Sequence, residues 1–353
     1  MAMSLRGAGT IWDQKMAADN AQMADNNHLW EILFVSGGTD TAVRQIVFGG
    51  QAGTNPLALY EYLINKQREA DEVAQDPPAA GDVLPLDRCA FCRHQFGTKY
   101  EDPFFGTIDI RRNRRNRYYC NQCDYFIRIC PGEATLVMPV LMVDVKDSRG
   151  IRTQVGDLRA YSRLLLRFQR RAAAEIQRNL GFVLNTIGDA VLAVWPSGFI
   201  PQAMRDRVDG GKGDPARIPA ICAVETGQAL ARIAPTEFDG RDLPFRGAVD
   251  TTEMVIFAVT VNDPGEGTAF EVLPEDEVGD PMPGLEASEI PVGPAAVDIA
   301  GEAVEVAAAL ASHHDAAAGQ TYITRRTDEA AAIDTSALEY APRGDSGIMA
   351  RVV

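Results

Sequence analysis

Apolar residues recur with two different periods along the chain, and each change of period marks a change of element. Helical spacing appears first in "NHLWEILF" and again in "NPLALYEYLINKQREADEVAQ", joined by the glycine-rich turn "FGGQAGTN". The second helix has Asn55 as N-cap and Pro56 at its first helical position. "DPPAAGDVLP", residues 76–85, reads as a linker. "TLVMPVLMVDV" reads as a buried strand. A helix follows from about Asp157 to Leu180, with Leu158, Tyr161, Leu165 and Phe168 on one face and the arginine stripe Arg159, Arg163 and Arg167 on another. "FVLNTI" and "AVLAVW" flank a Gly-Asp pair, a hairpin with Asp189 at its tip. A helix near 216–233 precedes two strands, "LPFRGAVD" and "EMVIFAVTV". "AVDIAGEAVEVAAALAS" runs from strand into helix, "QTYIT" is a last strand, "DEAAA" a short helix, and 339–353 a loose tail. The hairpins exclude an all-parallel sheet, so an antiparallel or mixed sheet covered by helices is expected, an α+β fold.

Composition narrows the function. The formal net charge of −15 argues against a general nucleic-acid partner, because phosphate backbones would be repelled. The longest apolar stretch, 134–145, is too short to span a bilayer, and the first residues carry no signal-peptide core, so the expected address is the cytoplasm with no membrane partner. Nine Asp or Glu and no Lys or Arg fall between 263 and 290, a long acidic excursion.

Five of the six cysteines lie between 89 and 130. "CAFC" (Cys89, Cys92) and "CNQC" (Cys120, Cys123) are two knuckles that can complete a tetrahedral four-sulfur shell. Zinc in a structural role is the expected occupant, with an iron–sulfur cluster as the alternative. Cys130 and His94 are bystanders or substitute ligands, and Cys222 sits in an apolar helical run as core. The "RRNRRNR" run between the knuckles reads as a solvated strand or loop more readily than as an anion site.

Asp144 ends one strand and Asp189 tips a hairpin about 45 residues later. Two such carboxylates suit a two-metal phosphoryl-transfer site, because Mg²⁺ or Mn²⁺ takes hard oxygen ligands and neutralises triphosphate charge.

With those acids in place, the sequence resembles the class III nucleotidyl (adenylyl and guanylyl) cyclases. "LMVDVKDSRG" is similar to the family's FADIxGFT strand, "LNTIGDAVLAVW" to its KxIGDxxLAxF hairpin, and "VDIAGEAVEVAAALAS" to DxxGxxVNxAARLxS. Upstream, Trp30 and the knuckles resemble a subgroup with W-x-x-x-L and a double CxxC before the cyclase domain. The resemblance implies a ferredoxin-like cyclase domain over 134–338, preceded by a helical segment and linker (1–85) and a zinc-ribbon-like four-cysteine module (86–133). It implies head-to-tail pairing with a second cyclase-like domain, its own copy or a homologue. A nucleoside triphosphate is the implied ligand, and the N-terminal region a further protein contact. Asp144 and Asp189 match the metal ligands, and the Val145 carbonyl takes the position that also contacts metal. Asp298 matches the acid that reads the purine base, and Asn185 stands where adenylyl cyclases carry the base-reading Lys.

The departures bear on catalysis. Glu305 stands where the family's ribose-orienting Asn belongs, and Ala309 where its Arg stabilises charge on the phosphates. Thr252 replaces the later glycine of GxHxG. A lost charge-stabilising donor typically costs about 3–4 kcal/mol in such a transition state. The expectation is therefore a degenerate cyclase-like protein that binds metal–nucleotide and acts in assembly or regulation, with Arg325 and Arg326 as candidate substitute cations. The alternative is an active cyclase forming cyclic nucleotide and pyrophosphate from ATP or GTP.

Overall fold

The computed structural model describes residues 26–36, 89, 91, 94–102, 106–113, 119–129, 131–200, 214–233, 243–260, 295–313, 319–336, 338–343 and 348–353. Cys92, Cys130, the 55–75 helix, the 76–85 linker and the acidic 263–290 stretch therefore lie outside the described residues.

A helix over 26–31 passes into a π-helix at Ile32–Ser36, as the first helical pattern predicts. Strands β1 (Thr98–Asp102) and β2 (Gly106–Ile110) form an antiparallel pair, and helix α1 (Asn121–Ile129) starts beside the second knuckle. Next come β3 (Glu133–Val145), α2 (Ser148–Val155), α3 (Leu158–Arg178), β4 (Phe182–Ile187) and β5 (Ala190–Val194). Helix α4 (Arg217–Ala231), β6 (Phe245–Thr260), β7 (Ala295–Ala300) and α5 (Glu302–Ser312) follow. The chain closes with β8 (Gln320–Thr324), α6 (Arg325–Ala330), β9 (Ala341–Arg343) and β10 (Ile348–Val352). The main sheet has the order β4-β5-β3-β6-β8-β10-β9, with β7 pairing the far half of β6. All pairings are antiparallel except β6 with β8, so the sheet is mixed, as the hairpins require.

Central β3 explains the layers. Its first residues alternate exposed and buried, whereas from Met138 to Val143 every residue is buried, as in a strand covered on both faces. Leu136, Met138, Val140 and Met142 face one core, shared with α1, α5 and the N-terminal helical segment. Leu141, Val143 and Val145 face the other, shared with α3 and α4. Pro139 is tolerated in this central strand because its missing N–H faces the end of β5. Trp195 N–H donates to the Pro139 carbonyl at 3.3 Å, and the chain leaves the sheet at Pro196.

Four expectations change. "LPFRGAVD" and "EMVIFAVTV" are one continuous strand, because the polar residues between them are satisfied inside the fold: Asp250 takes Arg326 and Thr324, and Thr251 donates to Thr327. The 339–353 stretch, expected as a loose tail, supplies β9 and β10 to the main sheet. Leu158 is 59% exposed, whereas Phe168 is fully buried and Tyr161 and Leu165 pack on the core as expected; the buried face of α3 adds Leu164, Ala172 and Ile176. Helix α2, capped by Asp147, is an element the apolar pattern does not announce.

Candidate functional site

The β4–β5 hairpin closes through Gly188 and Asp189, with Ile187 paired to Ala190. Gly188 has φ 62, the left-handed conformation that this tight turn places on glycine. From α3, the buried Gln169 donates its side-chain amide to the Gly188 carbonyl at 2.9 Å and anchors the turn. The tip carboxylate, Asp189, is thereby held near the end of β3, since β3 and β5 pair up to Val143–Val191.

Asp144 lies one residue beyond that pair and faces the α5 side of the sheet. Burial, first, and the Asp189 carboxylate, second, push its carboxyl above the usual carboxylate range, while Arg246 pulls it back. A cation at this strand end would relieve the opposition that the Asp189 carboxylate sets against the charged form of Asp144. Hard oxygen donors of this kind fit Mg²⁺ or Mn²⁺. The Val145 backbone follows directly, so its carbonyl is at the same strand end.

Arg246 is in register with Asp144 on the adjacent strand and is 8% exposed. Its guanidinium donates to the carbonyls of His313 (2.6 Å) and Ser312 (3.0 Å) and reaches Asp144 Oδ2 at 3.5 Å. The apolar pattern gives no hint of this residue, because an arginine in a strand reads as exposed. Asp147 is the second residue that sequence reasoning missed. It adopts φ 54, N-caps α2, and accepts the Gly150 N–H at 3.1 Å. It stands at the glycine position of the FADIxGFT pattern, and that departure is the sequence signal that could have found it.

The remaining nucleotide candidates are dispersed. Asn185 is exposed on β4 at a register shift, where its side chain accepts the Thr186 N–H. Glu305 and Ala309 are exposed together on α5, four residues apart on one face. Gly301, at φ 149 with Met254 against it, makes the sharp passage from β7 into α5. Asp298 is exposed on β7 opposite Phe257, and its neighbours Val297 and Ile299 point into the α5-side core. Asp298 therefore faces the other side of the sheet from Asp144. Along β6, Phe257 is eleven residues (257 − 246) from Arg246, the partner of Asp144, or about 35 Å of strand. One chain does not bring Asp298 to the carboxylate pair. The substitute cations are also committed. Arg326 forms two bonds to fully buried Asp250 (3.2 and 2.5 Å) and one to Glu302 (2.8 Å), and Arg325 lies over the Tyr340 ring.

At the second candidate centre, the sulfur atoms of Cys89, Cys120 and Cys123 all lie within 4.8 Å of one another, and all three residues are fully buried. Cys120 N–H donates to Cys89 Sγ at 3.2 Å and Cys123 N–H to Cys120 Sγ at 3.4 Å. Backbone donors favour thiolate, and three converging thiolates fit a thiophilic metal. His94 contributes its carbonyl to Cys89 N–H, at 2.8 Å, and its ring is not in this cluster. Tyr119, next to Cys120, stacks on Phe182 of β4 at 5.9 Å, and Phe34 and Phe91 meet the same ring edge-on. The cysteine module thus packs on the α5-side core of the main sheet. Arg111 and Arg112 of the arginine run are exposed, Arg112 over the Phe96 ring. Cys222 is core in α4, where burial pushes its thiol up to about 12.

No helix among the described residues is long and apolar enough to cross a membrane. No protein-family model matches the chain, and no curated protein matches it by sequence. Solved structures of nucleotidyl cyclases resemble it. The adenylyl cyclase CyaB from P. aeruginosa is 14% identical, with 63% of this chain and 95% of that chain covered at a TM-score of 0.42. The guanylyl cyclase Cya2 is 15% identical, covering 62% and 91%, at 0.41. The guanylate cyclase domain of RhGC from Catenaria anguillulae, in complex with GTP, is 14% identical, covering 62% and 94%, at 0.38.

Proposed function

We propose that this chain is a degenerate nucleotidyl cyclase-like protein: it binds a divalent cation with a nucleoside triphosphate at Asp144 and Asp189, and turns it over slowly or not at all. The carrying observation is the carboxylate pair itself, one member on a strand end and the other on a turn anchored by Gln169. A cation bound there would offset triphosphate charge. The chain's own residues supply little else for the chemical step. Glu305 and Ala309 offer no positive charge. Arg246 and Arg326 are spent on carbonyls and carboxylates. The Asp147 carboxylate occupies the N-terminus of α2, where a phosphate would otherwise find N–H donors and a favourable dipole.

A second domain completes the nucleotide site in this reading. Asp298 lies far from Asp144 within one chain, so a base held by Asp298 and Asn185 and phosphates held at Asp144 require two copies or a homologue. The cysteine cluster, with Cys92 as the fourth ligand, holds structural zinc in a module of residues 86–133, and the cyclase-like unit from 134 extends through β10. Closely spaced reduced thiols suit a cytoplasmic setting.

The test is to incubate the purified chain with Mn²⁺ and each of ATP, GTP, CTP and UTP, measuring nucleotide binding and cyclic product in parallel. Binding with turnover near background supports the proposal. Turnover of any one at about 1 s⁻¹ or faster, an ordinary enzymatic rate, makes the chain an active cyclase.

A further inference from the structure

Helix α5 is fastened at both ends to a single strand, β6, and each fastening is an arginine. At its N-terminal end Glu302 accepts from Arg326, which is held by Asp250 of β6. At its C-terminal end the carbonyls of Ser312 and His313 accept from Arg246 of β6, four residues before Asp250. The two fastenings differ in what else they touch. Arg326 ends on carboxylates away from the candidate site, whereas Arg246 also reaches Asp144, at 3.5 Å.

We propose that Arg246 is the positioning residue that ties the state of Asp144 to the last turn of α5; this rests on the reading of Asp144 and Asp189 as a cation site. The guanidinium is a rigid fork with five donors, is 8% exposed, and its Nε has no hydrogen-bond partner among the described residues. It shares its charge among three acceptors: one carboxylate oxygen and two carbonyls at the negative end of a helix dipole. The carboxylate contact is the longest of the three. A divalent cation drawing on Asp144 repels the guanidinium and weakens that contact first. The fork then turns its full charge to the Ser312 and His313 carbonyls and holds the end of α5 more tightly. The exposed face of the same helix carries Glu305 and Ala309, so cation occupancy fixes the helix that presents these two positions.

The experiment is amide hydrogen exchange over the segment Leu310–His313, with and without Mn²⁺, alongside a Mn²⁺ titration. In the unaltered protein, Mn²⁺ should slow exchange there by about threefold or more, a local change in opening. Arg246→Met should still take up Mn²⁺ through Asp144 and Asp189 while losing that response. Arg246→Lys, which keeps the charge but not the fork, should retain part of it and serves where the Met variant fails to fold. Mn²⁺ uptake with no change at 310–313 in the unaltered protein overturns this inference alone. An unchanged response in Arg246→Met does the same. Absence of Mn²⁺ uptake by the unaltered protein removes the cation site, and this inference with it.

Discussion

Gln169 and Gly188, nineteen positions apart, are joined by one hydrogen bond of 2.9 Å that fixes the tip of the β4–β5 hairpin to the middle of α3. The donor is buried, and the acceptor is the backbone of the turn that presents Asp189. Gln169→Leu keeps the volume but removes the donor, which should cost about 1–3 kcal/mol in denaturant unfolding. It should also weaken Mn²⁺ uptake while leaving metal content at the cysteines unchanged, because only the hairpin tip loses its support.

Asp250 and Arg326 form an ion pair whose members are not equally exposed: Asp250 is fully buried and the Arg326 side chain is 38% exposed. Arg326→Leu strands the carboxylate and should destabilise the fold by about 3–5 kcal/mol. Replacing both partners with apolar residues should restore much of that loss, a result that a double-mutant cycle reads directly. The same pair explains why Arg326 is not available to a phosphate.

Tyr340 gives a pH signature. Burial, then its hydrogen bond to the Asp328 carboxylate, pushes the phenol from 10.0 up to about 12. The unfolded chain therefore loses this proton first, and stability falls as pH rises from 10 to about 12. Below pH 10 the contribution is fully present. Urea midpoints across that range should decline less steeply in Tyr340→Phe than in the unaltered protein.

Much of this fold was legible in the apolar pattern, and the reason is local. The β4–β5 hairpin, α3, α4 and the β7–α5 passage each carry their own signal, glycine at a positive-φ turn or apolar residues at a fixed period. The strand-end place of Asp144 and the hairpin-tip place of Asp189 could be read because each ends or tips such an element. Elements whose polar residues are satisfied at long range could not. Asp250 looks like a break in a strand until Arg326, 76 positions away, neutralises it. Arg246 looks like a surface residue until the carbonyls at the end of α5 arrive to accept its hydrogen bonds. Likewise, β9 and β10 lack a strong pattern of their own: β10 is held by pairing with β8 and by Arg351 reaching Asp328 at 2.7 Å, and β9 by pairing with β10.

The cysteine centre makes a separate prediction. Protein purified anaerobically should contain zinc near one per chain and show no iron or labile sulfide. Cys120→Ser should lose the metal and destabilise the aromatic cluster around Tyr119 and Phe182, seen as a drop in near-ultraviolet circular dichroism and in thermal midpoint. A brown, iron-containing protein would assign the centre to a cluster instead.

Glu305 and Ala309 lie on one exposed face of α5, so both can be replaced without disturbing the core. Glu305→Asn with Ala309→Arg should raise cyclic-nucleotide formation above either single change. On the proposed reading each restored contact would act on the same transition state and carry on the order of a hundred- to a thousand-fold in rate. Equal activity in the double variant and the unaltered chain would place the defect elsewhere, with Asp147 the next residue to replace by glycine.

The most direct measurement is the uptake of Mn²⁺, followed by the electron paramagnetic resonance of the free ion, for the unaltered chain, Asp144→Ala and Asp189→Ala. Saturable uptake by the unaltered chain, weakened about tenfold or more in each variant, is the result expected if the two carboxylates hold the cation together. No uptake by the unaltered chain, or uptake unchanged in both variants, would contradict it.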